Sequence, residues 1–254
     1  MRFSDTYICS EEIYGMKGPE RLHTKKWPAG VTVCDDLAGL DLSRALAEVS
    51  PERRAYALGY RLERDRRLSV AVYLLLKEAL GRGYGLVGNP RLGRGRNGKP
   101  FLQDHPEIHF NLSHCPRAAV CAVADNPVGI DVEEVAPVDW EVARRVLSEE
   151  EQNAVRTSSE PDVAFARYWT QKEAFAKLTG DGIDDSRLPA LLAEAQDVAF
   201  ETVVNRRRGY VLTVATVRRS VRPVLVYDGR LSPAVAEENY FTSIVSATEL
   251  FGIG

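Results

Sequence analysis

Cysteine is scarce in this sequence. Four occur in 254 residues (Cys9, Cys34, Cys115 and Cys121), and none forms a C-x-x-C pair. A chain of this length can bury enough core to fold without disulfide staples, so reduced thiols and a cytoplasmic setting are expected. Histidine is equally sparse. His23, His105, His109 and His114 give no zinc-ligand spacing with those cysteines. No apolar run approaches the length of about eighteen residues that a membrane span needs, so no membrane association is expected. Met1 to Tyr14 carries Asp5, Glu11 and Glu12 in place of an apolar stretch, which argues against a secretory signal. Positive charge is not in excess: 36 acidic residues outnumber 33 basic ones, for a net charge of −3. The molecule as a whole is therefore no nucleic-acid clamp, and any anion site is a local patch.

What is present is an ordinary soluble balance, 44% hydrophobic and 27% charged. The spacing of residues outlines several elements. Ser50-Pro51-Glu52 reads as a helix start: an N-cap hydroxyl, a proline at the first helical position and an acid at the positive end of the dipole. A longer helix is expected from about Asp65 to Leu80, with Leu68, Val72, Leu75 and Leu76 on one stripe and Gly81 as its stop. Arg91 to Lys99 is rich in glycine and arginine and contains the tight-turn pair Asn97-Gly98. From Ile108 to Glu134 the pattern becomes strand-like. Ser113-His114 reads as a polar corner, Ala118–Ala124 as a buried strand, Asp125-Asn126-Pro127 as a turn, and Val128 onward as the next strand. Ser148 with Glu151 forms a capping box. A helix then runs from about Val163 to Leu178 and ends at Gly180. Strand-like segments follow at Val198–Val204, Tyr210–Val217 and Val224–Tyr227, with turns at Arg208-Gly209 and Asp228-Gly229.

Two echoes hint at an internal repeat. Val49-Ser50-Pro51-Glu52 recurs as Leu147-Ser148-Glu149-Glu150, and Lys77-Glu78-Ala79 as Lys172-Glu173-Ala174, at offsets of 98 and 95 residues. The implied class is α+β, with helices packed on antiparallel sheets in two similar halves. The expected division is 1–125, 126–230 and a tail, 231–254.

Three segments carry chemistry. In Gly129-Ile130-Asp131-Val132-Glu133, strand alternation sends Asp131 and Glu133 to one side, with α-carbons roughly 7 Å apart. Neighbouring carboxylates repel unless a cation or proton lies between them, and oxygen ligands suit Mg²⁺ or Mn²⁺. A solvated, inert strand face is the other reading of the same five residues. In Trp169-Thr170-Gln171-Lys172-Glu173-Ala174-Phe175-Ala176-Lys177, helical spacing puts Trp169, Glu173 and Lys177 on one face. That face is either a packed Trp beside a surface ion pair, or a third acid and a lysine delivered to a phosphoryl-transfer site. In Phe110-Asn111-Leu112-Ser113-His114, the hydroxyl and imidazole either grip a phosphate or are satisfied structural groups.

Together, in this order, these segments resemble the Sfp-type 4'-phosphopantetheinyl transferases. Gly98-Lys99-Pro100 and the Ser50-Pro51-Glu52-Arg53 opening add to the resemblance, which covers about Val49 to Ile183. The resemblance implies two α+β halves related by a pseudo-two-fold, with coenzyme A as co-substrate in the cleft between them. It implies that Asp131, Glu133 and Glu173 bind Mg²⁺, with Mn²⁺ as the alternative, and that Lys177 lies near the pyrophosphate. Ser113 and His114 match residues that hold the nucleotide, and Arg53 and Lys99 match cations that hold its phosphates. The implied reaction moves phosphopantetheine from coenzyme A to a serine of an apo acyl or peptidyl carrier protein. Glu173, directly or through water, is the candidate base. Cys115 departs from the family pattern, where a second serine is common. Arg144 and Arg145 are candidates for a basic docking rim, and a monomer suffices if both halves lie in one chain. The carrier's pathway, whether fatty-acid, polyketide or nonribosomal-peptide, is not encoded here. Two other readings stay open. One is a nucleic-acid module built on Arg61–Arg67, Arg91, Arg94, Arg96 and Lys99; the other is a catalytically silent carrier-binding protein.

Overall fold

The computed structural model describes residues 30–182 and 186–218. Met1–Tyr14, Cys9, the expected strand Val224–Tyr227, the turn Asp228-Gly229 and the tail 231–254 lie outside the described residues.

The chain begins with strand β1 (Gly30–Cys34), then helices α1 (Leu42–Glu48), α2 (Pro51–Leu58) and α3 (Glu63–Tyr84). A short hairpin, β2 (Leu92–Arg94) and β3 (Pro100–Leu102), precedes strands β4 (His109–Cys115) and β5 (Ala118–Ala124). The second run is β6 (Val128–Glu134), helices α4 (Trp140–Val146), α5 (Glu149–Thr157) and α6 (Pro161–Thr179), a 3-10 segment (Leu188–Glu194), and strands β7 (Val198–Asn205) and β8 (Tyr210–Val217). Both three-stranded sheets are antiparallel, in the orders β1-β5-β4 and β6-β8-β7. The β2–β3 hairpin aside, each run contributes one strand, three helices and two strands, and in each the last strand is central. The α+β class expected from the sequence holds.

Local signals explain most boundaries. The Ser50 hydroxyl accepts from the Arg53 N–H with Pro51 at the first helical position. Ser148 and Glu151 form both bonds of a capping box. The hairpin tip uses left-handed backbone at Asn97 (φ 56°) and Gly98 (φ 78°). α6 ends at Gly180 in the left-handed region.

Two expectations are corrected. Gly81 does not end α3; the helix continues to Tyr84 and stops at left-handed Gly85. An interior glycine costs only about 1 kcal/mol, which the buried stripe of α3 outweighs. Ser113-His114 is not a corner, because β4 stays paired with β5 through Cys115↔Ala118.

Three hydrophobic clusters hold the molecule. One packs α3 against β4 and β5, another packs α4, α5 and α6 onto β7 and β8, and the third joins β1, β5, β6 and β8. Edge strands β4 and β6 lie side by side at that junction, tied by Ile130 N–H donating to Asn111 Oδ1 at 3.0 Å. Cys34, Cys115 and Cys121 are buried, and no disulfide joins the described residues. Among the described residues, no helix is long and apolar enough to cross a membrane.

Candidate active site

Strand β6 alternates as the sequence predicts. Ile130 and Val132 are fully buried in the core shared by the two sheets. Asp131 and Glu133 therefore point the other way, under helix α6. The register of β6 with β8 sets Asp131 opposite Thr213, whose hydroxyl lies 2.7 Å from that of Thr170 on α6.

Gly129 explains how the helix comes so close. A Cβ on Gly129 would stand 1.9 Å from the Ala174 carbonyl oxygen and 2.6 Å from the Leu178 nitrogen, both backbone atoms of α6. Only a bare α-carbon allows that approach. Glu173 and Lys177 ride on the same stretch of helix and are carried onto the acidic face of β6.

The polar contacts follow from this approach. Lys177 Nζ donates to Asp131 Oδ1 at 2.6 Å and to Ser113 Oγ at 3.0 Å. Ser113 Oγ donates to the same Asp131 oxygen at 2.7 Å. Asp131 is 2% exposed, and its Oδ2 has no hydrogen-bond partner. Trp169 Nε1 donates to Glu133 Oε1 at 3.2 Å. Burial, reinforced by the charge of Asp131, pushes the Glu133 carboxyl up to about 7, against the pull of the Trp169 bond and Lys177. Burial also raises Glu173, while Lys177 opposes that shift. The three acids thus feel one another across the β6–α6 contact. Of the two readings of this helix face, the contacts favour the one that delivers Lys177 to the acids: its ammonium turns inward to Asp131.

The donor set suits a hard cation: three carboxylates, one with a buried oxygen that lacks a partner. Among the described residues, no three His, Cys, Asp or Glu side chains are gathered tightly enough to hold an ion as they stand. The Lys177 ammonium supplies the positive charge at Asp131 instead.

Around this centre the expected anion-binding residues are distributed unevenly. His114 is exposed on β4, next to Ser113. Partial burial of its ring, with the charges of Lys177 and Arg53 nearby, lowers its pKa. Arg53 reaches over the rings of Tyr56 and Tyr73, its guanidinium carbon 5.5 and 5.2 Å from their centroids. Lys99 is different: its ammonium donates to the Lys177 and Leu178 carbonyls at the end of α6. Arg144 and Arg145 are exposed on α4 beside exposed Val142.

Much of the basic stretch that suggested nucleic acid is engaged within the fold. Arg66 donates to Tyr60 O. Arg67 pairs with Glu63 and binds the Leu37, Ala38 and Leu40 carbonyls. Arg91 pairs with Asp104.

Sequence reasoning missed two contributors and gave a third a different partner. Lys172 is fully buried and donates to Glu151 at 2.8 Å and to Leu188 O at 2.7 Å. Asn111, quoted only as part of a motif, bridges the two edge strands. Ser113, expected at the nucleotide, is bonded inside the Lys177–Asp131 pair. A charged residue on the apolar side of a helix was the one available signal, at Lys172.

Residues 127–215 match the family model described as the 4'-phosphopantetheinyl transferase superfamily. That span runs from β6 to β8 and includes Asp131, Glu133, Glu173 and Lys177. A 4'-phosphopantetheinyl transferase of Bacillus subtilis is 32% identical over 201 residues, covering 73% of this chain and 89% of the relative. The 4'-phosphopantetheinyl transferase psf-1 of Bacillus pumilus is 40% identical over 138 residues, 53% of this chain and 59% of that protein. The 4'-phosphopantetheinyl transferase Sfp of Bacillus subtilis (strain 168) is 29% identical over 157 residues, 61% of this chain and 70% of that protein.

Proposed function

The chain belongs to the 4'-phosphopantetheinyl transferase family, and from that premise we propose that it moves the phosphopantetheine arm of coenzyme A onto a serine of an apo carrier protein. The observation that carries this reading is the β6–α6 contact. Gly129 lets the helix approach until Glu173 and Lys177 lie over Asp131 and Glu133. Three acids and a lysine at one buried edge suit phosphoryl transfer, where positioning and charge compensation supply most of the catalysis.

Glu173 takes the proton of the carrier serine. Its raised pKa makes it a better acceptor near neutral pH than an ordinary carboxylate. The serine oxygen bonds to the phosphorus next to pantetheine, and the bond from that phosphorus to the bridging oxygen of the pyrophosphate breaks. The electron pair leaves with 3',5'-ADP, whose new terminal phosphate Lys177 stabilises. Asp131, Glu133 and Glu173 would hold Mg²⁺ or Mn²⁺, which when bound offsets their charge and that of the pyrophosphate. Arg53 and His114 hold the nucleotide phosphates at the mouth, and the remaining N–H of Lys99 adds a further donor. Ser113 orients Lys177 and Asp131 from the nucleotide side. The division into a nucleotide side before residue 125 and an acid side after it, the docking of an acidic carrier helix on Arg144 and Arg145, monomeric action and a cytoplasmic location belong to this proposal.

The test is mass spectrometry of apo carrier proteins incubated with the chain, coenzyme A and Mg²⁺. A gain of about 340 Da that chelator abolishes is expected for transfer to serine. Asp131→Ala and Glu173→Ala should abolish it while coenzyme A binding partly survives. Normal turnover by folded Glu173→Ala removes the role given to Glu173. No mass gain on any carrier, despite coenzyme A binding, overturns the transferase reading.

A further inference from the structure

A helix leaves its last four carbonyls without partners inside the helix. At the end of α6 the first of these, Ala176 O, receives the Gly180 N–H at 2.9 Å. The next two are taken from the other half of the chain. Lys99 Nζ donates to Lys177 O at 2.5 Å and to Leu178 O at 3.1 Å. Just beyond them, Asn97 Nδ2 donates to Gly180 O at 3.0 Å. Both donors sit at the tip of the β2–β3 hairpin.

The backbone around these contacts is shaped to allow them. Asn97 (φ 56°) and Gly98 (φ 78°) fold the tip over in left-handed conformations. Gly180 (φ 74°) turns the chain off the helix, and a Cβ there would come within 3.3 Å of the Lys99 side chain. The ammonium also lies at the negative end of the helix dipole, where a cation is favoured. Four residues from two distant segments thus converge on one helix end.

We propose that the hairpin tip is a clasp, and that Lys99 and Asn97 are positioning residues which fix where Lys177 stands. Lys177 is tied at both ends. Lys99 holds its carbonyl, while Asp131 and Ser113 hold its ammonium. The hairpin sets how far α6 extends along β6 and how the last turn is rotated, and so sets the distance from Lys177 to the reacting phosphate. This goes beyond binding of a phosphate by Lys99, and its kinetic part rests on the transferase reading.

The physical part is tested without substrate. Hydrogen exchange is measured on the full chain as wild type, Lys99→Met and Asn97→Gly; glycine keeps the left-handed turn and removes only the amide. Amides from Ala176 to Gly180 should exchange about tenfold faster in Lys99→Met, from loss of a charge-assisted bond, and by a smaller factor in Asn97→Gly. Exchange in β4 to β6 should stay unchanged. With an active transfer assay, Asn97→Gly should lower kcat while KM for coenzyme A stays put, and by the same factor with 3'-dephospho-coenzyme A as donor. If Lys99→Met unfolds globally, Asn97→Gly carries the exchange test. Unchanged exchange at the end of α6 in the folded variants overturns the clasp. So does a rise in KM confined to the 3'-phosphorylated donor with α6 protection intact, which would make Lys99 a phosphate ligand only. Absence of transfer activity leaves the exchange result standing, so the two proposals fail separately.

Discussion

Gly129→Ala is the smallest change that should dismantle the site. The added methyl would stand 1.9 Å from the Ala174 carbonyl oxygen, whereas ordinary contact begins at 3.4 Å. The second clash, 2.6 Å to the Leu178 nitrogen, lies one helical turn further on. Both atoms are backbone, so no rotamer change relieves the overlap. The helix has to retreat from the strand on the order of 1.5 Å, or β6 has to buckle, and overpacking of this kind costs about 1–3 kcal/mol or more. The retreat moves Glu173 and Lys177 away from Asp131, and a misplacement of about 1 Å can cost on the order of a hundredfold in rate. Urea unfolding should therefore show a loss of at least about 1 kcal/mol. Turnover of the folded fraction, followed by mass spectrometry of the carrier, should fall by about two orders of magnitude or more. A folded variant with wild-type stability and turnover would refute the claim that close approach at Gly129 builds the site.

Lys177→Met leaves the 2%-exposed Asp131 carboxylate with only Ser113 as a bonded partner. Chelator-treated protein should lose about 3 kcal/mol in denaturant unfolding, and Asp131→Asn in the same background should restore part of it. Lys172→Met removes the cation from Glu151, which keeps only the Ser148 N–H, and the donor from Leu188 O in the 3-10 segment; a loss of about 3 kcal/mol is expected, measured by urea midpoint. Glu78→Gln should stabilise the protein at neutral pH. Burial raises the Glu78 pKa above its ordinary 4.5, so the folded state holds its proton longer than the unfolded chain. That contribution is full below pH 4.5 and fades as pH rises through the folded value. The wild type should therefore lose more stability between pH 5 and pH 7.5 than Glu78→Gln, and parallel urea curves would refute this.

What was legible in the sequence was local. The Ser50 and Ser148 caps, the Asn97-Gly98 turn and the alternation of β6 each depend on residues a few positions apart, and each stands in the structure. Contacts made across the fold left little trace. β1 went unassigned because five residues, Gly30–Cys34, become a strand only against β5, far along the chain. Ser113 has the residue type expected of a nucleotide contact, yet the meeting of β4 with β6 spends its hydroxyl on Asp131. Lys99 matches a phosphate-holding cation by its place after the Asn97-Gly98 turn, and only the folded chain brings it to the carbonyls of α6. The acids and Lys177 were found together because a strand's period of two and a helix's four-residue spacing each placed them on one face.

The echoes in the sequence set α3 and β1 beside α6 and β6, and only the second pair carries the acids. Lys77-Glu78-Ala79 and Arg82 on α3 stand 95 positions before Lys172-Glu173-Ala174 and Lys177 on α6. Gly30, Thr32 and Cys34 on β1 stand 99 positions before Gly129, Asp131 and Glu133 on β6. The strand in the first half therefore brings a hydroxyl and a thiol where the second brings two carboxylates. Thr32 spends its hydroxyl on Leu75 O at 3.3 Å, and its sheet partner is Cys121 where the partner of Asp131 is Thr213. Glu78 is left as a single acid. Arg82 comes within 2.8 Å of it, yet neither carboxylate oxygen has a directed hydrogen bond. Burial raises the pKa of this single carboxylate while Arg82 opposes the shift, and β1 brings no further carboxylate oxygens beside it. On the other strand, Asp131 and Glu133 raise the cost of leaving Glu173 without a counter-charge. The same helical K-E-A-x-x-[K/R] pattern thus yields a single buried acid with a raised pKa beside Arg82 on α3 and a cluster of three acids at α6, and the difference lies in two strand residues.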